Sequence, residues 1–181
     1  LVSTGVPAGP LVDRIREGVA KGVDPEVLVS AAEAEAGRLK LATDLLAGIG
    51  PVEKEERERA VSVLSLCLRG GIEGATLAAL LGAAVPARGG TERALAAAQA
   101  LLTFRGITTL GGPALLRLGL ALVRGRLPLG AFPSVGALFV KARGAGLDDQ
   151  EAADLMVSVL DSGGGLIQLS NAVGAGASRR G

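Results

Sequence analysis

Apolar residues along this chain recur at spacings of three and four, broken at intervals by glycine and proline. That pattern predicts about eight helices and no sheet. Leu11, Ile15 and Val19 mark one face of a first helix that runs to about Lys21. A second, from Pro25 to about Leu46, carries Val27, Leu28, Ala31, Ala32, Leu39, Ala42 and Leu45 as its stripe, with Glu33, Glu35, Arg38 and Lys40 expected to face outward. The third starts in the charged run Glu53–Arg59 and ends at Arg69, and the fourth, about Ala75 to Ala84, is nearly all Ala and Leu. The remaining four are expected from a Thr91 cap to Arg105, and over Pro113–Arg124, Pro133–Arg143 and Asp149–Leu160.

Corners with one grammar join these segments. Ala142-Arg143-Gly144-Ala145-Gly146-Leu147-Asp148 reads as a cation on the last carbonyls, a glycine able to turn left-handed, an apolar lid and an N-cap. Glu151, three residues after Asp148, completes a capping-box pattern. The grammar returns at Lys21-Gly22-Val23-Asp24-Pro25, at Arg69-Gly70-Gly71-Ile72-Glu73 and at Arg105-Gly106-Ile107-Thr108. Gly22, Gly71, Gly106 and Gly146 are thus the expected helix ends, and Asp24 and Asp148 the expected starts.

Pro51, Pro86 and Pro128 break the chain between these corners. The alternation implies hairpin, linker, hairpin: an all-α fold of four stacked helical hairpins in a solenoid-like array, with an irregular bundle of eight helices as the alternative. One domain is expected over residues 1–162, followed by a glycine-rich tail, 163–181, in which Leu166–Leu169 dock and the end is disordered.

Composition narrows the chemistry. Hydrophobic residues make up 49% of the 181, yet the aromatics are only Phe104, Phe132 and Phe139. A core of Leu, Val and Ala demands close helix approach, because each side chain fills little volume. The chain has no histidine, so it lacks the commonest general base and metal ligand. Its one cysteine, Cys67, excludes an internal disulfide and sits on an apolar helix, where a small buried hydrophobe is expected. No uncharged run reaches the ~20 apolar residues of a membrane span.

A net charge of +1 hides an uneven distribution. Residues 93–147 hold seven bases (Arg93, Arg105, Arg117, Arg124, Arg126, Lys141, Arg143) and no acid, while 148–161 hold five acids and no base. Four of those bases end helices, where the dipole accounts for them. Arg117, Arg126 and Arg93 remain as candidate contacts for an anionic partner, although Glu92 lies beside Arg93. An acidic protein surface, such as the 148–161 stretch of a second copy, fits them better than nucleic acid, for which the segment has no binding motif.

No catalytic constellation emerges. Glu33 and Glu35 do not share a helix face, and Asp148, Asp149, Glu151 and Asp154 lack the alternating loop of a calcium site. Gly163-Gly164-Gly165 and Gly111-Gly112-Pro113 follow no strand and carry no phosphate-loop lysine. The expectation is a protein that is not an enzyme, with no cofactor or metal: a helical scaffold or interaction module whose partner is another protein or a second copy. The alternatives are a peripheral binder of anions through 93–147 and a holder of an apolar ligand between helices.

Gly5-Val6-Pro7 with Pro10-Leu11, followed by Glu17-Gly18-Val19-Ala20-Lys21-Gly22-Val23, resembles a segment of uncharacterised, often exported bacterial helical proteins. The resemblance implies a helical fold and a bacterial source, and carries no activity. It places the protein in the periplasm if a signal has been removed, and in the cytoplasm otherwise.

Overall fold

The structure, a computed structural model, describes residues 9–50, 52–84 and 90–178. Among the described residues the fold is all-α, with nine helices and no strand. The chain divides between Gly70 and Gly71 into two compact units. The expected hairpin of the third and fourth helices is therefore split between them. The expected breakers Pro51 and Pro86 lie outside the described residues.

The first unit holds α1 (Gly9–Ala20), α2 (Pro25–Ala47) and α3 (Lys54–Arg69). Its core lies between α2 and α3, which pack along their length. Glu35, Leu39, Ala42 and Leu46 are buried on α2, against Ala60, Val61, Leu64, Ser65 and Cys67 on α3. The chain closes α1 with two bonds: the Val23 N–H donates to the Gly18 carbonyl, and the Gly22 N–H to that of Val19. Gly22 has φ +66°, as a left-handed helix end requires. Asp24 then caps α2 by accepting from the Glu26 N–H at 2.9 Å. A Cβ on Gly18 would meet the Leu28 Cδ1 methyl, so α1 lies close to α2 there and a larger residue would need Leu28 to turn aside.

The second unit holds α4 (Gly74–Ala84), α5 (Gly90–Ile107), α6 (Gly112–Arg124), a 3-10 turn at Leu129–Ala131, α7 (Phe132–Gly144), α8 (Asp149–Asp161) and α9 (Leu166–Ser178). Alternate helices form two rows. In one row α4 packs on α6 and α6 on α8; in the other α5 packs on α7 and α7 on α9. The core between the rows is aliphatic (Leu80, Leu101, Leu118, Leu122) with Phe104 and Phe139 edge-to-face, centroids 5.3 Å apart. The close approach demanded by small side chains is visible at Gly119. A Cβ there would stand 2.8 Å from Leu101 Cδ1 and 2.9 Å from Leu80 Cδ2.

Three local expectations are corrected. Helix α5 begins at Gly90, so Thr91 lies inside the helix rather than capping it. It also continues through Gly106 to Ile107, and Gly106 does not take a positive φ. The physical reason is tertiary: the end groups of α5 find partners elsewhere. The Ile107 carbonyl accepts from Arg143, and the Thr109 N–H donates to Asp149. In place of Gly106, Gly163 turns left-handed at φ +79° and closes α8, with the Gly164 N–H donating to the Val159 carbonyl at 2.8 Å. Leu166–Leu169 form the first turn of α9, and Leu169 and Val173 are buried. The helix continues through residues 172–178, where disorder was expected; residues 179–181 lie outside the described set.

Candidate functional site

The acidic corner is built as the residue order predicts. Gly146 takes φ +89° and the Leu147 N–H donates to the Ala142 carbonyl. Asp148 accepts from the Glu151 N–H at 2.8 Å, and the Glu151 carboxylate accepts from the Asp148 N–H at 3.0 Å. These carboxylates are thus helix caps. Gly71, at φ +84°, is likewise a turned glycine. Among the described residues no three side chains of the metal-ligating kinds gather in one place. No described helix is long and apolar enough to cross a membrane.

Two acid–base pairs of the second unit form within the chain. Arg117, exposed on α6, meets Asp154 of α8 at 3.0 Å. Arg143 meets Asp149 at 3.0 Å, and its Nη1 donates to the Ile107 carbonyl at 2.7 Å. Asp149 accepts two further bonds, from the backbone N–H and the hydroxyl of Thr109. Those bonds, more than the Arg143 charge, hold its carboxyl below the usual range. Two of the five acids of the 148–161 stretch, Asp149 and Asp154, thus meet bases of the same chain.

Arg93 is not a free cation on the surface. Its guanidinium donates to the carbonyls of Val123, Leu127, Leu122 and Gly125, all within 2.8 Å, and lies over the Phe132 ring at 5.1 Å. It fastens the start of α5 to the end of α6, with desolvation lowering its pKa. Of the three expected contacts only Arg126 is exposed with no ion pair among the described residues; Arg124 beside it shares that state. Both line a shallow depression with Asp161, Ser162 and Gly163. The acid there opposes anion binding.

Sequence periodicity placed Glu35 outward, and the structure buries it to 6% exposure. Positions 28, 32, 35, 39, 42 and 46 form one inward stripe, and Glu35 lies within it. Ser65 donates to one carboxylate oxygen at 2.8 Å and Arg38 to the other at 2.7 Å. Burial raises the Glu35 pKa, but the bonds from Arg38 and Ser65 with the charges of Arg38 and Arg69 outweigh it, leaving the carboxyl below its ordinary value. The group is satisfied and closed to solvent. Its chemistry is that of a fastening between α2 and α3.

An open apolar face lies on α1 and the start of α2. Among its described side chains α1 contributes none that is buried, and Val12, Ile15, Val19, Val23 and Val27 stay exposed, Val19 at 65% and Val27 at 59%. Of the expected stripe Leu11, Ile15 and Val19, only Leu11 is half-buried. The charges of α1 neutralise one another along the helix, Asp13 with Arg16 and Glu17 with Arg14 and Lys21. In the second unit a smaller groove runs between α5 and α7, lined by Ala96, Gln99, Thr103, Leu129 and Phe132.

No family model, curated protein or solved structure matches this chain.

Proposed function

We propose that the protein is a non-enzymatic helical scaffold that engages another protein through the apolar face of α1 and α2. One observation carries this reading: Val12, Ile15 and Val19, on one side of α1 by their three- and four-residue spacing, are exposed, as are Val23 in the corner and Val27 at the start of α2. Apolar side chains left exposed along one side of a helix mark an interaction site. The three- and four-residue spacing along α1 suits a partner helix that lays an apolar stripe alongside it. Paired charges on α1 impose little preference for a strongly acidic or basic partner. The second unit fits a stacked-hairpin array, each pair burying its apolar faces against the next.

The test places a photocrosslinking residue at position 19 and, as a control, at exposed position 158 of α8. Crosslinks specific to position 19 that disappear with Val27→Glu support the reading. Sedimentation separates the partners: association that rises with concentration and is lost in Val19→Glu identifies a second copy, whereas a monomer identifies a different protein. An absence of both crosslinks and self-association would refute it.

A further inference from the structure

The Arg-Gly pairs of the second unit do more than end their own helices. Arg105 lies against Gly71, where a Cβ would stand 2.8 Å from its Nε and 3.0 Å from its Nη2. Arg143 donates to the Ile107 carbonyl at 2.7 Å. Gly71 is the second residue after Arg69, and Ile107 is the second residue after Arg105. Each arginine therefore reaches the same position of the preceding corner. A second set of contacts runs parallel to the first. Gly112, at the start of α6, lies close to Glu73, whose Oε1 would be 3.3 Å from an added Cβ. Asp149, at the start of α8, accepts from Thr109. Glu73 and Thr109 each stand four residues after their corner arginine.

We propose that the second unit is a tandem repeat locked along one edge by a ladder of arginines, each holding the corner before it. The sequence spacing agrees: Arg105-Gly106 and Arg143-Gly144 stand 38 residues apart, Arg69-Gly70, the last two residues of the first unit, come 36 before them, and Arg180-Gly181, outside the described residues, comes 37 after. The ladder explains why Gly71 must be glycine twice over. Its φ is left-handed, and a guanidinium occupies the place of its side chain. It also explains why Gly106 need not turn, since the corner after α5 is held from outside. At Arg143 an arginine suits the role better than a lysine, because its planar fork meets the Ile107 carbonyl and the Asp149 carboxylate together, whereas Arg105 packs its guanidinium against Gly71.

Hydrogen exchange on the full chain tests the ladder against the simpler role of an arginine as the cation at its own helix end. Arg143→Lys keeps that charge and loses the fork. The ladder predicts that exchange at Thr109 and Leu110 rises by roughly fivefold or more, the loss of a charged hydrogen bond, while residues 141–145 change little. Arg105→Lys removes the guanidinium packed against Gly71 and should raise exchange at Gly71 and Ile72 by a smaller factor. A rise confined to the mutated helix's own end, or none at either corner, would overturn the proposal. If a lysine variant does not fold, 15N-edited spectra of the wild-type chain still decide. Slow exchange of the Arg143 Nη protons is expected, and exchange as fast as that of exposed Arg124 would overturn the clasp.

Discussion

Ser65 donates its hydroxyl hydrogen to Glu35 at 2.8 Å, from the second half of α3 to the middle of α2. Both residues sit where an aliphatic pair would ordinarily be. Buried carboxylates are stable only when their acceptor sites are met, and Ser65 with Arg38 meets them.

Removing the hydroxyl exposes the cost. Ser65→Ala should lower the stability of the first unit by about 1–2 kcal/mol at neutral pH, measured by urea unfolding. The pH dependence follows from the lowered Glu35 pKa. A carboxyl lowered by folding contributes stability that is complete above its unfolded value, near 4.5, and lost as pH falls through the folded one. Stability should therefore fall below about pH 4.5, and Glu35→Gln should flatten that fall. An unchanged acid limb in Glu35→Gln would exclude this carboxyl as its source.

Cys67 tests the same core. It is wholly buried, and burial pushes its thiol up to about 11. Its thiolate is therefore scarce at neutral pH, and reaction requires opening of the unit. Labelling by a disulfide reagent at pH 8 should follow the unfolding equilibrium and slow as stability rises. Instant stoichiometric labelling of native protein would mean that α3 does not bury this face.

The two aspartates of the acidic corner differ in partners. Asp148→Ala should cost about 1 kcal/mol, the usual loss of an N-cap. Residue order alone makes Asp149 a mere dipole charge and its loss cheap. With two bonds from Thr109 and a salt bridge to Arg143, Asp149→Ala should instead cost about 1–3 kcal/mol. Thermal melts that leave Asp149→Ala near wild type would remove the contact from the account.

Gly106 and Gly71 form another contrasting pair. Gly106 is helical with open space around its Cα, so Gly106→Ala should stabilise by roughly 0.5–1 kcal/mol. Gly71→Ala must hold a positive φ and displace the Arg105 guanidinium, and should cost at least about 1–2 kcal/mol. Equal effects in calorimetry would refute the difference in backbone state.

Legibility in the sequence tracked the range of the interaction. The turns at Gly22, Gly71 and Gly146 and the caps at Asp24 and Asp148 were readable because backbone, glycine and carboxylate lie within a few residues. Gly106 misled, since its local grammar was that of a corner while Arg143 and Asp149, distant in sequence, satisfy the end of α5. Glu35 was hidden by its charge. The signal was present in Ala32, Leu39 and Ala42, which place position 35 on the inward stripe between them. Nothing local distinguishes the exposed stripe of α1 from a core stripe, because amphipathicity predicts a partner without saying whether the chain itself supplies one. Which bases pair internally was equally unreadable, as Arg117 and Asp154 meet only once α6 lies on α8.

Arg93 offers the strongest single test of the second unit. Helix α6 ends with carbonyls that its own turn cannot satisfy, and the chain beyond, through Gly125 and Leu127, makes no further helix. One guanidinium collects four of those oxygens and rests on Phe132. Arg93→Met keeps much of the aliphatic volume and abandons every one of these bonds. Because several half-buried carbonyls lose their donor together, the loss should be at the upper end for a single side chain, about 3 kcal/mol or more. Arg93→Lys should recover only part, since three rotating N–H groups on one atom cannot reach oxygens spread around a planar fork. If instead Arg93 were an exposed contact for an anionic partner, both variants would melt like wild type and only heparin or acidic-vesicle binding would change. A large melting loss, with Arg93→Lys intermediate, is the outcome the geometry requires.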